Sequence, residues 1–169
     1  MSENKKLLFY GHQKIDDDDI NSVVKALRGN WLTTGPIVKE FESKISRYTG
    51  AKYTVTCSSG TAGLILSYMA LGKEYKNILI PSMTFVSTAS AAKLLGKNVQ
   101  LVDCDERTGL ICLNEVEKII NKKKIDAIIP VHMNGKSVDL ERLRKITKKK
   151  KIAIIDDASH AIGSAYFTS

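Results

Sequence analysis

The chain has few of the residues that staple or interrupt small folds. Its 169 residues include three cysteines, three prolines and one tryptophan. Cys57, Cys104 and Cys112 form an odd set with no CxxC pair, which argues against a disulfide framework and against a zinc site. Such a set suits a reducing compartment. No apolar run approaches the roughly 18 residues that a membrane span needs. The opening segment MSENKKLLFYGHQ also lacks the apolar stretch of a secretory signal. These absences lead to the expectation of a cytoplasmic protein without a membrane partner. Internal repeats and low-complexity linkers are missing as well, so one compact domain is the natural reading of this length.

Basic residues, by contrast, are in excess, with a formal net charge of +8. They cluster as Lys122–Lys124 and Lys148–Lys151, each run at the end of a predicted helix. Cations there suit the helix dipole and solubility. No aromatics are interleaved to stack bases. The runs therefore read as a solvated face, and no nucleic-acid partner is expected.

Hydrophobic periodicity organises the rest. Ile20, Val23, Val24 and Leu27 share one face of a helix over Asp16–Leu27, with Asp16 as its cap and Gly29 as its stop. Val38, Phe41, Ile45 and Tyr48 mark a second helix that ends at Gly50, after a loop Trp31-Leu32-Thr33-Thr34 punctuated by Gly35-Pro36. Strands are predicted at Tyr53–Cys57, Asn77–Ile80, Val99–Val102, Ile125–Val131 and Ile152–Ile155. Helices are predicted at Thr61–Leu71, Ser87–Leu95, Asn114–Ile120 and Val138–Lys148. Alternating strands and helices imply an α/β fold with a parallel sheet covered on both faces. The nearly uniform apolar runs IDAIIPV and IAIID agree with strands buried on both sides.

In such sheets ligands bind beyond the carboxyl ends of the strands. Ser58-Ser59-Gly60-Thr61 lies between a predicted strand and a helix start. Free N–H groups there could cradle a phosphate, and Gly60 would let backbone approach closely. Plain helix capping by Ser58 or Ser59 explains the segment equally well. The adjacent carboxylates Asp156 and Asp157 project to opposite sides of a strand end, so one can face a ligand. A carboxylate aimed at a heteroaromatic nitrogen would hold it protonated; a helix cap or surface pair is the plainer alternative. Phe85 follows another strand and could stack on a flat ligand or simply pack in the core. His132 and His160 also follow strands, but their spacing is not that of a metal site, and no metal is expected. His12 reads as a surface or interface residue.

Taken together and in order, WLTTGPIVKEFE, SSGTAGL, PSMTFVSTASA, PVHMNG and IIDDASHAIGSAY resemble the DegT/DnrJ/EryC1/StrS family of sugar aminotransferases that use pyridoxal phosphate (PLP). The resemblance runs from about Tyr10 to Tyr166. It implies the three-layer, fold-type-I large domain, with N-terminal helices over 1–50 and a PLP-binding α/β part over 51–169. It implies that Gly60, Thr61 and Ala62 hold the cofactor phosphate and that Phe85 stacks on the pyridine ring. Asp157 would pair with the ring nitrogen, and His160, where most members carry Gln, would lie near the phenolic oxygen. Thr33 and Gly35 would contact the sugar. The implied partners are a nucleotide-linked keto sugar and an amino-acid donor, glutamate in most members, within a homodimer. YGHQ and PVHMNGK most resemble the branch that makes 4-amino-4,6-dideoxy-N-acetyl sugars.

One departure qualifies the resemblance. The family's Schiff-base lysine follows the Asp157-type motif, and the chain reaches Ser169 without it or the small C-terminal domain. No catalytic residue is therefore assigned, and a truncated large domain is expected. A partner subunit completed by a second chain, a non-catalytic binder of PLP or nucleotide sugar, and an unrelated phosphate-binding α/β protein are the alternatives.

Overall fold

A computed structural model describes residues 13–165. The chain divides into two units, Met1–Thr54 and Val55–Ser169. His12 and most of the YGHQ segment lie outside the described residues.

In the first unit, α1 spans Asp17–Leu27 and α2 spans Pro36–Thr49. Asp16 caps α1 reciprocally: its carboxylate accepts from the Asp19 N–H at 3.2 Å, and the Asp19 carboxylate accepts from the Asp16 N–H at 3.1 Å. This capping box satisfies two donors that have no partner within the helix. Pro36 opens α2, where its missing N–H costs nothing. Gly50 closes it at φ +73°, a left-handed conformation that glycine adopts without a Cβ clash. The predicted apolar faces form, yet neither helix has a buried residue. Ile20, Val23, Leu27, Ile37, Phe41 and Tyr48 are all more than half exposed.

The second unit is a four-stranded parallel sheet, ordered β2-β1-β3-β4. Its strands are β1 (Asn77–Pro81), β2 (Asn98–Val102), β3 (Ala127–Ile128) and β4 (Ala153–Ile154). Around them lie α3 (Gly60–Leu71), α4 (Ser87–Leu94), α5 (Leu113–Lys122) and α6 (Leu140–Lys148). Strand alternation divides the core into two layers. Ile78, Ile80, Ala127 and Ile129 face one way and pack with Leu64 and Tyr68 of α3 and Ala91 and Ala92 of α4. Leu79, Val102 and Ile128 face the other way and pack with Val116 and Ile120 of α5 and Leu143 of α6. The sheet is thus covered on both faces, as the continuous apolar strands predict.

Two differences from the sequence expectations have physical causes. The regular parts of β3 and β4 are shorter than the apolar runs because Pro130 has no N–H for the ladder. Pairing nonetheless continues: Ile155 N–H donates to Ile128 O, Asp157 N–H to Pro130 O and His132 N–H to Asp157 O. The predicted strand over Tyr53–Cys57 does not form. A β-rich composition makes a strand only beside a hydrogen-bonding neighbour, and none of the four strands pairs there. Tyr53 and Val55 are 77% and 78% exposed.

Side chains tie the ends of these elements. The Asp126 carboxylate accepts from the N–H groups of Lys76 and Asn77 and from the Asn77 amide, fixing the start of β3 against that of β1. Lys97, itself buried, donates to the carbonyls of Gly72 and Tyr75 just past α3. The packing makes a direct prediction. Leu143 is fully buried and Leu66 is 49% exposed. In urea denaturation, Leu143→Ala should lower stability by about 2–5 kcal/mol, whereas Leu66→Ala should cost under about 1 kcal/mol.

Candidate functional site

Between β2 and β3 the chain changes direction across the sheet, because β2 lies on one side of β1 and β3 on the other. A crevice at the carboxyl ends of the strands is expected at that switch point. A pocket of about 220 Å³ lies there. Gly60, Thr61 and Leu64 line it from α3, and Thr84, Phe85 and Ser87 from the segment after β1. Val131 and Met133 contribute from beyond β3, and Asp157, Ser159 and His160 from beyond β4.

The α3 end is built by its cap. Ser59 Oγ accepts from the Ala62 N–H at 3.1 Å, and the Gly63 N–H reaches Ser59 O. Helix geometry leaves the N–H groups of Gly60 and Thr61 without intrahelical acceptors, at the positive end of the dipole. Ser59 thus caps the helix and still leaves two backbone donors at its N-terminal end. Ala62 does not line the pocket, and its N–H is spent on the cap. A Cβ on Gly60 would sit 3.6 Å from Ser159 Oγ, so the helix start approaches the loop after β4 closely.

Phe85 is 71% exposed at the pocket and does not pack in the core. A large apolar ring held in water is costly unless something covers it.

Asp157 is the most heavily bonded group of the site. Its Oδ1 accepts from Ser159 Oγ at 2.6 Å and from the Ser159 N–H at 3.2 Å. Its Oδ2 faces the Thr88 hydroxyl at 3.4 Å. Its backbone is clamped between Pro130 O and His132 N–H. Tyr68, fully buried beneath, donates its hydroxyl to the Thr88 carbonyl at 2.8 Å. Burial, and then the Asp157 charge, push the Tyr68 phenol well above its ordinary pKa.

Asp156 points away from the pocket, as alternation requires, but it meets a partner as well as solvent. Its Oδ1 lies 3.9 Å from His132 Nε2. His132 is buried, and its Nδ1 accepts from the Val138 N–H at 3.0 Å, which places the proton of a neutral imidazole on Nε2. His132 therefore braces the turn after β3 rather than joining His160. Among the described residues no group of three His, Cys, Asp or Glu side chains could hold a metal ion.

Thr33 and Gly35 lie in the other unit. They line a larger hollow of about 700 Å³ between α1 and α2, together with Trp31 and Phe41. Gly35 is required sterically, because a Cβ there would fall 2.5 Å from Trp31 Cβ. Ser159, Thr84 and Thr88 were not singled out from sequence. All three sit inside the motifs named above, Thr88 within PSMTFVSTASA, but Thr88 meets Asp157 only through the fold.

The fold and site together define a three-layer α/β domain. Its switch-point pocket joins a helix N-terminus, an exposed aromatic ring and a hydroxyl-anchored carboxylate. The chain belongs to the DegT/DnrJ/EryC1/StrS aminotransferase family, whose pattern matches residues 13–168. It is 40% identical over 162 residues to the UDP-4-amino-4,6-dideoxy-N-acetyl-beta-L-altrosamine transaminase of Campylobacter jejuni, covering 95% of this chain and 43% of that protein. Among solved structures, Helicobacter pylori PseC, an aminotransferase involved in the biosynthesis of pseudoaminic acid, superposes with a TM-score of 0.89 at 28% identity. That match covers 97% of this chain and 44% of PseC. A Streptococcus pneumoniae protein in its PLP form superposes at 0.82 with 32% identity, over 89% and 42% of the two chains. The chain thus spans less than half the length of the relatives it matches. Family membership sets aside the reading as an unrelated phosphate-binding protein.

The Asp156 environment carries a pH prediction. Burial raises the Asp156 pKa, and attraction to His132 and Arg144 only partly offsets this. The folded state then binds this proton more tightly than the unfolded chain, so stability falls as pH rises from about 4, the ordinary carboxylate pKa, through the raised value. Asp156→Asn should flatten that part of the melting-temperature profile and raise the melting temperature at neutral pH. An unchanged profile would contradict the assignment.

Proposed function

We propose that this chain supplies the cofactor face of a PLP-dependent aminotransferase. That enzyme transfers an amino group from an amino acid, glutamate in the simplest case, to a nucleotide-linked 4-keto-6-deoxy sugar. The observation that carries the reading is Asp157, a carboxylate held at the pocket by donors on both oxygens.

The pocket residues fit the cofactor chemically. A volume near 220 Å³ falls below the roughly 300 Å³ lower bound for drug-sized ligands, which suits a single-ring ligand better than a whole nucleotide sugar. The N–H groups of Gly60 and Thr61 and the Thr61 hydroxyl would hold its phosphate, and Phe85 would cover one face of its ring. Asp157 would hold a proton on the ring nitrogen, and His160 would meet the phenolic oxygen. When bound, PLP supplies a protonated ring that accepts electron density as the substrate's α-proton leaves. Asp157 can serve that demand because donors on both oxygens hold its carboxylate in place at the pocket. Thr33 and Gly35 are proposed as sugar contacts.

No lysine among the described residues lines the pocket. The amine that holds the cofactor is therefore assigned to a part of the protein other than residues 13–165. The nucleotide-sugar assignment is supported by the Campylobacter relative's name and that of PseC. A homodimer is proposed, supported by the exposed apolar faces of α1 and α2.

Binding titrations test the cofactor assignment. PLP should bind more tightly than pyridoxal without its phosphate, and inorganic phosphate should compete only weakly. Phe85→Ala should weaken PLP binding by roughly tenfold, about what loss of one aromatic contact costs. Equal affinity for PLP and unrelated phosphate esters would contradict the proposal.

A further inference from the structure

Thr88 acquires a role only if Asp157 meets the ring nitrogen as proposed. On that reading, we infer that Thr88 is a positioning residue for Asp157, and that it turns Thr84 into a hydrogen-bond acceptor facing the ligand. Thr88 is fully buried in α4, and its hydroxyl has two side-chain neighbours, Asp157 Oδ2 at 3.4 Å and Thr84 Oγ1 at 2.9 Å.

The direction of the chain follows from counting protons. An ionised carboxylate only accepts, and a threonine hydroxyl carries one proton. The Thr88 proton therefore goes to Asp157. The contact between the two threonines must then use the Thr84 proton. The donors run from Thr84 to Thr88 to Asp157, and each link polarises the next.

Three further observations support the assignment. Sixty-nine positions separate Thr88 from Asp157, so the contact is made by the fold and not by a local turn. The Thr88 backbone is fixed from below by the Tyr68 hydroxyl on its carbonyl. Ser159 grips Oδ1, and Thr88 meets Oδ2 and with it sets the rotation of the carboxylate. The separation of 3.4 Å is long for two oxygens, as such contacts often are before a ligand tightens them.

The consequence for the ligand is specific. Thr84 lines the pocket, but its proton points inward to Thr88. It offers lone pairs, so a ligand group that meets it must donate.

The test uses the natural protein carrying this segment, loaded with PLP, with Thr88→Val, Thr88→Ser and Asp157→Asn. Valine keeps the shape and loses the hydroxyl; serine keeps the hydroxyl. Thr88→Val should weaken PLP binding by about tenfold, the effect of removing one hydrogen bond to a charged group. It should also shift the pH midpoint of the bound cofactor's absorbance. Thr88→Ser should restore affinity to within about threefold, since the donor is back. Unchanged affinity and midpoint in Thr88→Val, or an equal loss in Thr88→Ser, would overturn the inference. Should Thr88→Val fail to fold, Thr84→Val breaks the same chain one link earlier and should move the midpoint in the same direction; an unmoved midpoint overturns the inference. Asp157→Asn separates the two claims. If it leaves affinity and midpoint intact, the Asp157 reading itself fails. If it abolishes them while Thr88→Val does nothing, only the role of Thr88 fails.

Discussion

The site depends on one backbone arrangement, the pairing that carries β3 and β4 past their regular ends. Asp157 N–H bonds to Pro130 O, and His132 N–H bonds to Asp157 O. The missing Pro130 N–H interrupts the regular ladder, and this pairing resumes it beyond the gap. It sets Asp157 at the carboxyl end of the sheet with its side chain on the pocket side. Alternation then obliges Asp156 to point the other way, toward His132. The two acidic neighbours receive opposite environments from a single geometric rule.

Around that fixed point the domain gathers groups from distant parts of the chain. The start of α3 comes close to Ser159, and α4 brings Thr88 beneath the carboxylate. The apolar layers under α3 and α4 make this possible. Small residues such as Ala91 and Ala92 let α4 lie tight on the sheet, so a threonine hydroxyl in that helix can reach Asp157. Burial and charge meet again at Tyr68, whose phenol is held protonated by the same packing and the same carboxylate.

Much of this was legible in the sequence because it follows local rules. The cap at Asp16, the stop at Gly50 and the doubly covered strands are each announced by a few neighbouring residues. The Phe85 and DDASH segments follow strands that form, where a parallel sheet places its ligands, whereas SSGT is marked by the helix start after it, since Tyr53–Cys57 is not a strand. Other features depend on partners that no local pattern names. Tyr53–Cys57 has the composition of a strand, but pairing decides strands, and among the described residues no strand pairs with it. Phe85 could have gone to core or pocket, and only the packed sheet decides that it stands exposed. Thr88 was hidden in a run of serine and alanine, since its importance lies in a contact 69 positions away. Ala62 shows the converse: it shares the SSGTAGL motif, while its N–H is already taken by Ser59.

The central claim is that Asp157 keeps a ring nitrogen protonated. The most direct measurement is the nitrogen-15 NMR shift of ring-labelled PLP bound to the natural protein that carries this segment, followed across neutral pH. The account predicts a protonated-nitrogen shift that persists through this range and is lost in Asp157→Asn. A shift typical of the unprotonated ring in the unaltered protein, or one that Asp157→Asn leaves in place, would contradict it.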